Sequence, residues 1–374
     1  MFASVQKESL EHLLFLANSI VDRKSTQVLL QNIKITASNK EITISALSND
    51  VSLFGRVDAN VKTEGEFTVD ARMAYEIIRD LPNDILTIQN PSGSRLELEC
   101  QQIRFKVNGT SADEFPVISG VDLENPSEVE AQTLLEMIEK TSYAVSNDET
   151  RKNMVGVYVE ALENGFGVGK DAIRFTATDG HRLAFIDRPV SGFELKKPIL
   201  IPKKGITELK KALEKNDGTV KVSINENFFT VESKGVTIGI RLLDPNFPDY
   251  RKVIPYESQS TITCSRKDLA DAIRRVNLVT TETFPGIKAK LLDSNFVVSS
   301  FSKEYGEAVE SISVNQEGAD VVVGFSGRYL LEILNTMNDS DTVKIKFNGP
   351  NSAVILNGTS DEFYNCVIMP MRYE

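Results

Sequence analysis

Asn164 to Lys170 reads NGFGVGK, a glycine-rich run ending in lysine of the kind that can cradle a nucleotide phosphate. Asp171 follows where a Ser or Thr would hold magnesium, so a glycine-rich hairpin turn is the better expectation. His12 and His181 are the only histidines, and no third ligand clusters near either, which argues against a metal site. Asp179 and His181 could exchange a proton, but no Ser or Cys nucleophile stands out beside them. Cys100, Cys264 and Cys366 are far apart and odd in number, which suits reduced cytosolic thiols. The sequons at Asn108 and Asn357 carry meaning only in a secreted chain. No catalytic constellation emerges, so a non-enzymatic binding or scaffold protein without cofactor or metal is expected. The segment Thr178 to Phe185, TDGHRLAF, is different. Its Thr178-Asp179-Gly180 turn signal leads into a strand that places His181 and Arg182 beside apolar Leu183.

A second set of polar residues recurs. Phe67 to Ile88, Leu200 to Val222 and Val323 to Phe347 each read as strand, helix, polar turn and strand. The helices share an apolar stripe with i, i+3, i+4, i+7 spacing, such as Ala74, Ile77, Ile78 and Leu81. Its counterparts are Ile206, Leu209 and Leu213, then Leu330, Ile333, Leu334 and Met337. Aligned on the stripe, Arg72, Lys204 and Arg328 fall at one position near the helix start. Seven residues on come Arg79, Lys211 and Asn335. A cation at a helix N-terminus opposes the macrodipole, so helix stability does not explain the match.

The chain has 374 residues, suited to about three domains. It is 41% hydrophobic and 25% charged, the composition of a globular protein. No apolar run is long enough to cross a membrane, and MFASVQKESLEHLL lacks the features of a secretory signal. A cytoplasmic protein is expected. The net charge of −11 taken alone argues against nucleic acid. The charge is uneven, however: Lys203–Lys215 and Ser265–Leu278 are basic, and the acidic excess lies outside the helices.

In chain order, Lys7–Lys24 is expected to be an amphipathic helix. A hairpin follows, with Ile33 and Ile35 facing Ile42 and Ile44 across Ser38-Asn39-Lys40. Further helices are expected at Ala131–Val145 and Arg266–Leu278. An acidic link, Val121 to Glu128, separates the first unit from the second. Each unit ends in an acidic turn and an aromatic, Phe115, Phe247 or Phe363, before an apolar stretch. The expected fold is α+β: three similar domains, 1–124, 125–254 and 255–374, each with two helices packed on antiparallel sheets.

TDGHRL (Thr178 to Leu183), FPDYRKVIP (Phe247 to Pro255) and VIMPMR (Val367 to Arg372), in this order, resemble the bacterial sliding clamp family, the beta subunit of DNA polymerase III. The resemblance covers essentially the whole chain. It implies the DNA clamp fold in a head-to-tail homodimer, a six-domain ring whose helices surround duplex DNA. It implies a processivity factor that tethers the replicative polymerase and other clamp-binding proteins and is opened by a clamp loader. It also implies a peptide pocket using Met154, Thr178, Gly180, His181, Arg182 and Leu183. Pro248, Val253, Val367, Met369, Pro370, Met371 and Arg372 would complete it. Methionines suit a pocket for varied partners. DNA contacts are implied at Arg23 and Lys24, which join Arg72, Lys204, Lys211, Arg274 and Arg328. Asp148 and Glu149 depart from the neutral residue expected there, and Gly349-Pro350-Asn351 departs from the pocket's remaining wall. The resemblance places Phe105 and Val107 of one copy against Leu278 and Val279 of another. A peptide-binding scaffold that does not encircle DNA is the competing expectation, and the matched basic positions count against it.

Overall fold

The computed structural model describes residues 1–371 except 24, 26, 92–94, 166–169, 191, 192, 194, 256 and 282–285. Among them are six α-helices: α1 (Lys7–Ile20), α2 (Ala71–Asp80), α3 (Ala131–Ser142), α4 (Lys203–Leu213), α5 (Arg266–Val276) and α6 (Gly327–Thr336). The three repeated phrases become α2, α4 and α6, each entered from a strand and followed by another. Side-chain caps start α2, α5 and α6. Asp70, Ser265 and Ser326 accept hydrogen bonds from Met73 N, Asp268 N and Tyr329 N at the starts of α2, α5 and α6. The expected stripe is buried at Ala74, Ile78 and Leu81, and at the matching residues of α4 and α6. Each fully buried Leu or Ile contributes about 1.5–3 kcal/mol.

Three helices stop earlier than the apolar pattern suggests. The first ends at Ile20, because Val21 turns extended at ψ 145° and is itself buried. The third ends at Ser142, and the fifth at Val276, where a 3₁₀ turn, Asn277–Val279, takes over. Apolar periodicity continues through such turns because the core does, and so overstates helix length.

The strands are antiparallel and mostly hairpin-linked. The first hairpin pairs Ile35 with Ile44 and Ala37 with Ile42. Its loop is only Asn39-Lys40, with φ of 48° and 66°, a left-handed pair that matches strand twist. The run at Asn164–Lys170 also joins a hairpin. Leu162 pairs with Ala172, and the Asp171 carboxylate accepts from Asn164 N at 3.0 Å. Residues 166–169 of that run lie outside the described residues.

The packing cuts across the repeats. The chain forms two compact units. The first, Met1–Leu135, Ser191–Leu195 and Ile201–Leu243, holds a 13-stranded sheet. There, Val51–Asp58 of the first repeat pairs with Val236–Arg241 of the second, Leu53 opposite Ile238. On it α1 packs with α2 and α4, burying Leu10, Leu13, Leu14 and Ala17. In the second unit, Arg182–Arg188 of the second repeat pairs with Tyr364–Ile368 of the third. That unit also has a four-stranded sheet and the α5–α6 pair.

A buried ion cluster ties the second unit together. Lys140, 5% exposed, donates to Glu136, Asp339 and Asp361 at 3.0, 2.8 and 3.1 Å. Arg188 reaches Glu136 at 2.5 Å and Asp361 at 2.6 Å. The three carboxylates converge closely enough for a cation, and the Lys140 ammonium already serves as one. Burial acts to raise the Glu136 and Asp361 carboxyls. The Arg188 and Lys140 hydrogen bonds outweigh it and hold both below the usual range. A depressed carboxyl adds stability above its unfolded value of about 4 and loses it as pH falls through the folded value. Lys140→Met should therefore destabilise the protein at pH 7 by about 3 kcal/mol, as expected when a buried ion pair loses one member. Urea unfolding at pH 7 and pH 3 checks this. The gap between wild type and variant should narrow in acid, and an equal gap at both would contradict the role given to Lys140.

Candidate functional site

The site grows from one turn. Asp179 Oδ1 accepts from His181 N at 2.9 Å and Arg182 N at 3.0 Å. Thr178 Oγ1 donates to Arg182 O at 2.7 Å and accepts from Gly180 N at 3.1 Å. Gly180 sits at φ 88°, where a side chain would strain the backbone. Thr178 and Gly180 thus shape the turn.

Arg182 has a different task from the peptide contact expected of it. Its side chain is 7% exposed. It reaches Asp179 at 3.1 Å, Glu332 at 2.5 Å and the Tyr143 carbonyl, just beyond α3, at 2.6 Å. The Tyr143 and Tyr329 rings lie near its guanidinium, at 5.0 and 4.3 Å. With its donors engaged inside the protein, Arg182 anchors α3 and α6 to the turn.

Beyond the turn, Leu183 pairs directly with Val367. These two form a buried cluster with Phe185, Tyr250 and Ile355, edged by Tyr158, Phe247, Ile254 and Ala353. Tyr158 and Phe247 stack at 4.9 Å. Tyr250 is fixed through its hydroxyl, which donates to Glu160 and accepts from Arg174 at 3.1 Å. Burial pushes its phenol above the ordinary value, and the Glu160 hydrogen bond adds to that. Pro248 is half-buried, and its carbonyl accepts from Tyr250 N at 2.7 Å. Val253 is 45% exposed at the end of the same short 3₁₀ turn.

The C-terminal stretch leaves this sheet and lines a cavity of about 600 Å³. Met369 N donates to His181 O at 2.8 Å, and Met371 N donates to Gly324 O at 2.8 Å. Met369, Pro370 and Met371 form one wall, with the two methionines 39% and 37% exposed. His181, Ser326, Arg328 and Tyr329 form another, and Asn277, Thr280 and Thr281 close it. Gly327 permits the close approach here, since a Cβ would stand 2.3 Å from Asn277 Oδ1. Met154 is half-buried in the loop after α3, where its carbonyl accepts from Ser146 N at 3.0 Å. Arg372 lies outside the described residues.

The expected DNA-facing cations fall into classes. Arg23 is exposed, and Lys24 lies outside the described residues. Arg72 pairs with Glu76 at 2.7 Å, and Arg274 with Asp271 at 2.5 Å. Both are exposed one-turn pairs, the kind that contributes about 0.3–0.5 kcal/mol, so a phosphate can displace the carboxylate. Lys204 is half-buried. Lys211 corrects the expectation. Its ammonium lies 3.0 Å from both oxygens of Glu208, a carboxylate that is 4% exposed and also accepts from Ser19. Releasing Lys211 to a phosphate would strip a buried carboxylate of its cation. Arg328 lines the cavity instead of marking only a helix face. Asp148 is held in its own turn by Thr150 and Arg151.

At the expected joint, Phe105 is 39% exposed, while Val107 is 9% exposed and belongs to its own core. Ile103, 40% exposed, is the other outward apolar residue of that strand. Leu278 is 77% exposed, and Val279 is half-buried.

No helix among the described residues is long and apolar enough to cross a membrane. Three family models match in succession. They are the N-terminal, central and C-terminal domains of the DNA polymerase III beta subunit, at residues 1–119, 128–249 and 251–372. The beta sliding clamp of Pseudomonas putida is 28% identical over the full length of both chains. The Caulobacter crescentus beta sliding clamp superposes with a TM-score of 0.93 at 28% identity, covering 100% of this chain and 99% of that one. The Bacillus subtilis DNA polymerase sliding clamp gives 0.92 at 27% identity, with full coverage of both. The chain therefore belongs to the family of the DNA polymerase III beta subunit, the beta sliding clamps, which serve DNA replication as non-catalytic processivity factors.

Proposed function

We propose that two copies of this chain join head to tail into a ring of six domains, 1–124, 125–254 and 255–374 from each, that encircles duplex DNA in the cytoplasm. The ring holds the replicative polymerase and other clients through the Leu183–Val367 cluster and the Met369–Met371 cavity. The observation that carries this reading is an apolar cluster beside an open cavity, with exposed methionines on the strand extension that links them. An extended peptide can seat apolar side chains in both. The pocket in this reading comprises Met154, His181, Leu183, Pro248, Val253, Val367, Met369, Pro370, Met371 and Arg372, with Thr178, Gly180 and Arg182 shaping it. A clamp loader opens the ring.

The joint has support in strand geometry. Ile103–Val107 is paired on one side by Arg95–Cys100, while its other neighbour meets only Gly109 and Thr110. Gly306–Ser313 likewise ends its sheet, pairing only with Asn295–Ser302. Two open edges with exposed apolar side chains beside them are expected to be covered. The edges also carry opposite charges, Arg104 and Lys106 on the first and Glu307 and Glu310 on the second, and within the chain Arg104, Lys106 and Glu310 pair with Glu99, Glu97 and Arg275. Leu278 stands exposed in the same unit as the second edge.

On DNA, Arg23, Lys24, Arg72, Lys204 and Arg274 would meet phosphates, which convey no sequence information. Direct affinity is weak because the whole chain is acidic. Protein loaded on circular DNA should survive a high-salt wash that would dissociate phosphate contacts, and should slide off once the circle is cut. Equal loss from circular and linear DNA would refute encirclement.

Leu278→Glu combined with Val279→Lys should give folded monomers. Sedimentation checks this, and a double variant that still runs as a dimer would place the joint elsewhere. Deleting Met371 to Glu374 should leave folding and dimerisation intact. It should weaken a polymerase-derived clamp-binding peptide at least about tenfold, or about 1.4 kcal/mol. Unchanged affinity in a folded truncated ring would remove the tail from the site.

A further inference from the structure

We propose that Glu160 and Arg174 are positioning residues for the peptide pocket: they hold Tyr250 and so set the Pro248–Val253 wall against the Leu183–Val367 cluster. The inference rests on the pocket reading above and concerns residues that stand behind the wall, not the ligand.

Three observations carry it. First, Glu160, Arg174 and Asp187 form a row across three neighbouring strands. Glu160 lies directly opposite Arg174, and Arg174 opposite Asp187. Glu160 and Asp187 are 6% and 4% exposed. A buried row of charges adds little stability over apolar residues of similar size, so stability alone does not explain it.

Second, the row is aimed at the segment that joins the second and third repeats. Asp187 accepts from Nε and Nη2 of Arg174, each at 2.6 Å, which fixes the guanidinium plane. The remaining nitrogen, Nη1, donates to the Tyr250 hydroxyl at 3.1 Å. That hydroxyl donates to Glu160 Oε1, and Glu160 Oε2 accepts from Arg251 at 2.5 Å. Burial raises the Tyr250 phenol above its ordinary value, so it keeps the proton that it donates. The Arg174 guanidinium also lies 4.5 Å from the Phe185 ring, a member of the Leu183–Val367 cluster. One cation thus braces both sides of the site.

Third, the segment held by the row is a single 3₁₀ turn, Tyr250–Val253, tied to Pro248 through Tyr250 N. One such turn has little stability of its own, so its placement depends on the side chains that anchor it. Tyr250 at its start is buried, and Val253 at its end is 45% exposed. The anchor and the exposed wall are therefore two ends of one turn. With the anchor in place, a peptide meets a wall already set and loses less free energy in ordering it.

The test uses the full-length protein and the polymerase-derived clamp-binding peptide, titrated by NMR with valine methyls labelled. Tyr250→Phe keeps the ring and removes only the hydroxyl. It should weaken the peptide about fivefold, the worth of one hydrogen bond. It should shift the Val253 methyls and leave those of Val367 in place. Glu160→Leu should weaken the peptide at least as much. Glu160→Gln, which still offers Tyr250 an oxygen, should recover most of that loss. In a Val253→Ala background, Tyr250→Phe should weaken the peptide less than about twofold, because the two changes act through one wall. Unchanged affinity in folded Tyr250→Phe overturns the proposal. So does an undiminished loss in the Val253→Ala background, which would mark a general loosening. If Glu160→Leu does not fold, the Tyr250–Val253 cycle decides alone. If the peptide shifts neither the Val253 nor the Val367 methyls of wild type, the pocket reading itself fails, and the positioning role with it.

Discussion

The antiparallel pairing of Arg182–Arg188 with Tyr364–Ile368 is the constraint on which the candidate site depends. It sets Leu183 opposite Val367, two residues far apart in the chain, and so creates the apolar cluster. It also delivers the tail, because Met369 N continues the ladder onto His181 O before the chain crosses to Gly324. A slip of one residue would turn Leu183 and Val367 away from their cluster and Arg182 into it. Register is therefore strongly specified, and the buried Arg182 guanidinium adds to the specification. Bonded to Asp179, Glu332 and the Tyr143 carbonyl, it has satisfied partners only in this arrangement. In any other it would be a desolvated charge, which costs several kcal/mol.

The same pairing explains why three repeats in sequence become two compact units. Each repeat carries strands that finish a sheet begun by its neighbour: Val51–Asp58 with Val236–Arg241, and Arg182–Arg188 with Tyr364–Ile368. Open edges that a single repeat would expose are thus closed along the chain. Ile103–Val107 and Gly306–Ser313 keep an unpaired side, at the first and the last repeat.

Much of this was legible in the residues, and the failures have physical causes. The three strand–helix phrases and the Thr178–Leu183 turn follow local rules of spacing, capping and backbone conformation, which short windows report. Tyr158, Tyr250 and Ile355 were not singled out for the site, although they build its cluster. Each is an apolar or aromatic residue in an ordinary strand or turn, and only tertiary pairing gathers them. Asn277 and Tyr329 were missed for the same reason: nothing local marks a cavity wall. Arg182 was read as a peptide contact and Lys211 as a DNA contact, because a sequence shows charge and not depth. Arg182 is buried and bonded to Glu332 from another element, while Lys211 is partly exposed and held by the buried Glu208 on its own helix. Tyr329 could have been suspected, since an aromatic next to a matched cation at a helix start is unusual in the other two copies.

Charge distribution then separates the exposed helix cations into two settings. At Arg72 and Arg274, one-turn carboxylates hold the cation on an exposed helix face in pairs that contribute little. Such pairs mute the field of each helix toward the surroundings. At Arg328 the carboxylate one turn on, Glu332, lies 3.9 Å away with its other oxygen held by Arg182, and the side chain lines the cavity. The repeat that placed a cation at one helix position three times has thus been used in two ways. What decides between them is whether the nearest carboxylate is free to answer or is already bound to a buried guanidinium.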